Sequence, residues 1–141
     1  YHRPEHVKLA CERSLKDLGL EYVDLYLMHS PTSFTFEDME VQYPKIWLGK
    51  ESKKIEEDTV PVAETWRAME GLVKEGLTKS IGVSNFPISL LRDLWNSSTL
   101  KPAVIQSELH PYLSNKALVR FCNEKHIHVT SFSTFAGSAY V

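Results

Sequence analysis

The sequence predicts an α/β fold in which short, buried, parallel strands alternate with amphipathic helices. Four runs rich in Val, Ile, Leu, Tyr or Phe lack the strict apolar-polar alternation of a half-exposed antiparallel strand, which favours burial on both faces. Stretches with helical periodicity separate them. The order is helix, strand, then three helix-strand units, and this points to parallel strands joined by right-handed crossovers. The last two units recur about every 24 residues. Such a repeat suits a (β/α) barrel or a doubly wound sheet, and pattern alone leaves both open.

The first helix is expected from about Pro4 to Leu18, with Pro4 at the first helical position and Glu5 in the first turn. Its apolar stripe is Val7, Cys11, Leu15 and Leu18, and Gly19 stops it. The first strand runs from Val23 to His29. A long segment follows, from Pro31 to Thr59, which holds Phe34, Phe36, Tyr43 and Trp47 and the charged run Lys50 to Asp58. A loop of that length at a strand end is usually a lid or binding loop, and a solvated excursion is the plainer alternative. The second helix, about Val62 to Glu75, places Val62, Trp66, Met69 and Val73 on one face and ends at Gly76. Then come a strand from Ser80 to Ser84, a helix from about Ile88 to Asn96, and a strand from Ala103 to Glu108. The fourth helix starts at Ser114, expected as its N-cap, with Leu118, Phe121 and Cys122 facing in, and the last strand spans Ile127 to Phe132.

Composition narrows the functional classes. With 43% hydrophobic and 24% charged residues the chain has the makings of a packed globular core. A formal charge of −2 and no basic stripe with interleaved aromatics argue against a nucleic-acid partner. No apolar run approaches the ~20 residues of a membrane span, so no membrane partner is expected. Cys11 and Cys122 fall on helical stretches among apolar neighbours, and two buried free thiols fit a reducing, cytoplasmic setting.

In parallel α/β folds chemistry gathers at the C-terminal ends of the strands, where the βα loops converge. All four ends here are polar: His29; Ser84 and Asn85; Gln106, Glu108 and His110; and Ser131 to Thr134. Each has a plainer explanation. His29 alone could be a core histidine satisfied by a carbonyl, and Asn85 could cap a helix or occupy a left-handed turn position. Gln106 is harder to dismiss, because a buried primary amide must find partners for its donors and its acceptor, and a ligand amide would supply them. Other chemistries fail on position. His126 and His128 have metal-site spacing but precede their strand, so no metal is expected. Lys79, a conceivable Schiff-base lysine, stands at the start of its strand. Neither G-x-G-x-x-G after a strand nor G-x-S-x-G occurs.

Three stretches carry a resemblance. Leu15 to Pro31 resembles the aldo-keto reductase signature around the active-site histidine, and Gly76 to Phe86 resembles a second signature of that family. Lys101 to Gln106, continuing through Glu108 and His110 to Leu113, resembles a third characteristic stretch. The likeness covers nearly the whole chain in the family's order and spacing. It is nearest the aldose, aldehyde and xylose reductase branch, through the long loop after His29 and the helix start at Pro61 to Glu70.

The resemblance implies part of a (β/α)8 TIM barrel, roughly the central-to-late four βα units, with 1–141 in one domain and 30–60 an active-site loop insertion. It implies reduction of aldehydes, ketones or aldoses by direct hydride transfer from NADPH, by a protein that is a monomer or weak dimer when complete. His29 would be catalytic, aligning the substrate carbonyl. Ser84, Asn85 and Gln106 would hold the nicotinamide carboxamide. Phe132 stands where the family usually has a stacking tyrosine, so the ring is kept and the hydroxyl lost. Ser133 would begin the loop at the cofactor pyrophosphate. Ser30, replacing a bulky aromatic beside the histidine, would widen a substrate pocket that His29 and Trp47 share. The family's tyrosine proton donor, in an Asp-Thr-Ala-x-x-Tyr motif with a supporting lysine, would precede Tyr1, and the 2′-phosphate motif would follow Val141. A barrel needs about 250 residues. A fragment is therefore expected, without turnover of its own. The alternative is a non-catalytic relative that binds cofactor or serves a structural purpose, and His29 argues against it.

Overall fold

Helix α1 (Pro4–Leu18) begins where Arg3 is extended and Pro4 takes the first helical position. It ends at Gly19, whose left-handed φ of 67° lets the amide of Leu20 reach back to the Leu15 carbonyl at 3.0 Å. The same device closes α2 (Val62–Lys74), where Gly76 at φ 76° allows the Leu77 amide to reach Leu72 at 3.0 Å. The computed structural model describes residues 1–36 and 56–136. Among these, the remaining elements are β1 (Val23–Met28), β2 (Thr78–Ser84), α3 (Ile88–Ser97), β3 (Val104–Glu108), α4 (Lys116–Glu124) and β4 (His128–Phe132).

All pairings are parallel and the strand order is β1-β2-β3-β4, the order in sequence. Each helix packs on the next, α1 on α2, α2 on α3 and α3 on α4, so the helices form one layer. A doubly wound sheet reverses its strand order and covers both faces. Sequential order under a single helical layer is instead an arc of a (β/α) barrel.

The core lies between helices and sheet. Val7, Cys11 and Leu15 of α1, Trp66, Met69 and Leu72 of α2, Leu91 and Leu94 of α3, and Leu118, Phe121 and Cys122 of α4 bury against Met28, Ile81, Val83 and Ile105. Each large apolar side chain so buried is worth roughly 1.5–3 kcal/mol. Ile81 and Val83 alternate with Ser80, Gly82 and Ser84, which therefore point to the helix-free face. Two residues one turn apart on α2 lock the turn between α3 and β3. Trp66 Nε1 donates to the Leu100 carbonyl at 2.9 Å, and the buried Glu70 Oε1 accepts from the amides of Thr99 and Leu100, both at 2.8 Å.

Three expectations need correction. Burial on both faces holds for the middle of the sheet only: Asp24 and Leu25 of β1 and His128, Thr130 and Ser131 of β4 are exposed, because neither strand has an outer neighbour among the described residues and no helix covers the face that Leu25, His128 and Thr130 share. Leu18 is 63% exposed although it falls between Val7 and Cys11 around the helix, because it is the last residue of α1, beyond the turns in which that stripe is buried. Ser114 does not cap α4. Asn115 holds that position, in a left-handed conformation (φ 42°) that asparagine tolerates better than serine.

Gly82 sits where the sheet is tightest. A Cβ there would lie 2.5 Å from the Val104 carbonyl oxygen and 2.7 Å from Leu27 Cδ2. Gly82→Ala must push β2 from β3, and is expected to cost about 1–3 kcal/mol, read as a lower denaturation midpoint. Both thiols are free and fully buried, and burial pushes Cys122 up to about 11 and Cys11 upward as well. Neither is expected to react with a disulfide reagent at neutral pH until denaturant is added; fast labelling of the native protein would contradict this packing.

Candidate active site

The register fixes which strand-end groups share a face. Leu27 pairs with Gly82 and the ladder ends at Met28 with Val83, so Ser84 lies on the helix-free face and His29 leaves β1 beside it. Ser84 pairs with Gln106, and Gln106 pairs with Thr130. One row therefore crosses the C-terminal end of the sheet: His29, Ser84, Gln106, Thr130. One step higher, Glu108 pairs with Phe132. The expected Ser84, Gln106 and Phe132 are thus placed on one face by β-pairing, with His29 following directly on β1. Thr130 was not anticipated, although its place two residues before Phe132 puts it on the same face.

His29 is exposed, Ser84 is 3% exposed, and Gln106 is half-buried. Asn85 adopts φ 60° and links three strand ends. Its Nδ2 donates to the His29 carbonyl at 2.8 Å and to Ser84 Oγ at 3.1 Å, and its backbone amide donates to the Gln106 carbonyl at 3.0 Å. The side-chain orientation is not arbitrary, because a carbonyl only accepts, so the atom facing His29 is the nitrogen. Asn85 thus occupies the left-handed turn position, and it does not cap α3, whose N-cap is Pro87. Among the described residues nothing hydrogen-bonds the Gln106 side-chain amide. A buried hydroxyl, an amide held by its nitrogen and an uncommitted amide together offer both donors and acceptors, which is what a carboxamide requires. These residues fit a nicotinamide.

Beyond the row, Ser133 is exposed at φ 50° directly after β4. Ser131 Oγ donates to the Leu109 carbonyl at 2.7 Å and so ties the β4 exit to that of β3. His110 is buried, its Nδ1 accepting from the Tyr112 amide at 3.2 Å and its Nε2 lying 3.4 Å from Glu108 Oε1. Ser30 Oγ accepts from the Thr32 amide at 3.2 Å, so its hydroxyl shapes the turn that leaves β1. Trp47 lies outside the described residues. At the opposite end of the strands, Lys79 Nζ is 2.7 Å from Asp24 and 3.2 Å from Tyr22 Oη. These bonds raise its pKa and hold it protonated, far from the row. No group of metal-ligating side chains occurs among the described residues.

Sequence reasoning missed how the segment after His29 is anchored. Phe34 bridges Glu57 antiparallel, the Thr35 amide donates to Glu56 and the Asp58 amide to Ser33. The buried Ser33 Oγ donates to the Asp58 carbonyl at 2.6 Å. Arg3, just ahead of α1, holds the Asp58 carboxylate in a two-pronged bond of 2.7 and 2.9 Å, and His6 stacks on Phe36 with ring centroids 3.8 Å apart. Partners 25 and 55 residues apart leave no local signal.

Comparison with known proteins bears on this geometry. The model of the Aldo/keto reductase family matches residues 1–141. The chain is 44% identical over its whole length to the NAD(P)H-dependent D-xylose reductase of Scheffersomyces stipitis. It is 43% identical to the NADPH-dependent aldose reductase of Saccharomyces cerevisiae. It spans 44% of the length of each. Among solved structures, the aldose reductase of Giardia lamblia superposes with a TM-score of 0.85 at 44% identity, covering 97% of this chain and 43% of that one. The aldose reductase of Schistosoma japonicum gives 0.81 at 39% identity, covering 93% and 42%.

The Arg3 bond, then the Thr59 amide, hold the Asp58 carboxyl below its usual range. A carboxylate whose folded pKa is depressed contributes stability above its unfolded value, near 3.8, and loses it as pH falls through the folded value. The stability gap between the native protein and Arg3→Met is therefore expected to be full at pH 7 and to shrink on acidification below about pH 4. Denaturation midpoints of both across that range check it, and a gap that widens in acid would contradict it.

Proposed function

The chain belongs to the aldo/keto reductase family, and from that premise we propose that the whole protein reduces the carbonyl of aldehydes, ketones or aldoses with NADPH. The observation that carries this reading is the pair of Ser84 and Gln106 with His29 at the exit of β1, tied together by Asn85.

In this reading Ser84, Asn85 and Gln106 hold the nicotinamide carboxamide, Phe132 backs the ring, and Ser133 starts the loop along the pyrophosphate. A nicotinamide held there would supply hydride to a carbonyl carbon. His29, exposed at the open end of the same row, donates a hydrogen bond to the carbonyl oxygen and fixes its direction. A proton must reach that oxygen. Tyr22 is at the far end of β1 with Lys79, and Tyr26 is half-buried on the α1 side beside Ser14 and pushed up to about 12, so neither β1 tyrosine is offered as the donor. In this reading the donor lies outside the described residues. Ser30 borders the substrate site, and relatives named as xylose and aldose reductases make small polyhydroxy aldehydes the first substrates to try.

In the whole protein, His29→Ala is expected to lower kcat/KM for aldehydes by on the order of 10²-fold or more, with NADPH affinity nearly unchanged. Steady-state kinetics on an aldehyde panel with NADPH and NADH, paired with cofactor titration by fluorescence, test this. Lost cofactor binding in the variant would overturn the role given to His29, and absence of carbonyl-dependent NADPH oxidation in the unaltered protein would overturn the function.

A further inference from the structure

We infer that Asn85 is a positioning residue for His29, holding the histidine's backbone through its side-chain amide; the kinetic meaning of this rests on the function proposed above. The ladder between β1 and β2 ends at the pair Met28 and Val83. There β2 turns away. By the alternation of β2 the Asn85 backbone amide faces β3 and goes to Gln106, so its side chain is what remains to meet β1. His29 follows directly on β1, and its carbonyl accepts instead from Asn85 Nδ2 at 2.8 Å. The side chain thus extends the ladder by one rung, beneath the residue whose imidazole must be aimed. Both properties are needed. The left-handed conformation favours glycine or asparagine, and the rung needs a donor, which glycine lacks and aspartate replaces with a repelling carboxylate.

The same nitrogen reaches Ser84 Oγ at 3.1 Å, so the backbone of His29 and the buried hydroxyl beside Gln106 are held by one group. Loss of that group leaves the imidazole on a peptide bonded to β2 only as far as Met28. A misdirected imidazole costs the transition state one well-aimed hydrogen bond, about tenfold in rate.

Asn85→Gly keeps the backbone conformation and removes the rung; Asn85→Asp keeps the shape and inverts the interaction. In the whole protein at saturating NADPH, Asn85→Gly is expected to lower kcat/KM for an aldehyde about tenfold, and to lower it no further when His29 is already alanine. A double variant whose loss is the product of the two single losses would mean that Asn85 acts on the cofactor alone, and overturns the proposal. A second measurement needs no turnover. The His29 imidazole resonances of the cofactor-free protein are expected to shift and broaden in Asn85→Gly and Asn85→Asp but not in Gln106→Ala, whose side chain makes no bond to the His29 peptide. Unmoved resonances in both Asn85 variants overturn it as well. If the unaltered protein lacks reductase activity, the reading of function fails, and the resonances alone still decide whether Asn85 positions His29.

Discussion

In a parallel sheet every second side chain points the same way, and strand register alone determines which groups meet. Here the register leaves Leu27, Gly82 and Val104 so close that the carbonyl of Val104 occupies the place of a side chain on Gly82. Two residues above this contact stand His29 and Ser84, with Gln106 and Thr130 continuing the row. A slip of one residue would turn that row toward the helices and bring Ile81 and Val83 out of the core. Core and site are thus two readings of one alignment. The apolar face selects the register, and the polar row follows from it.

Much of this was legible in the sequence because it is local. Helix boundaries at Pro4, Gly19 and Gly76 are set by backbone chemistry that a few residues carry, and the structure places them where that chemistry predicts. The polar strand ends were visible because each strand is short and apolar before it closes. What escaped depends on neighbours distant in sequence. Exposure of β1 and β4 is a property of sheet position and cannot be read from a run such as VDLYLM. The α4 cap shifted by one residue because the choice between Ser114 and Asn115 lies in a left-handed backbone angle, which composition does not encode.

Asn85 shows the limit most clearly. Its two plain explanations, a helix cap or a left-handed turn residue, concern backbone geometry, and the second is what the structure has. The turn then frees the side chain for work across the sheet. That its nitrogen should land on His29, 56 residues earlier in the chain, follows only from parallel pairing.

The base of the segment after β1 has a further consequence. Ser33 and Asp58 are joined to each other, Asp58 to Arg3, and Phe36 to His6, so the two ends of the excursion are pinned independently of what lies between. Once the ends are fixed, each doubling of the enclosed length adds only about 0.6 kcal/mol of closure entropy. The barrel framework and the sequence of the excursion are therefore separable modules. A different cassette can be inserted between the same two anchor points, next to the same histidine, without rebuilding the sheet that aims it.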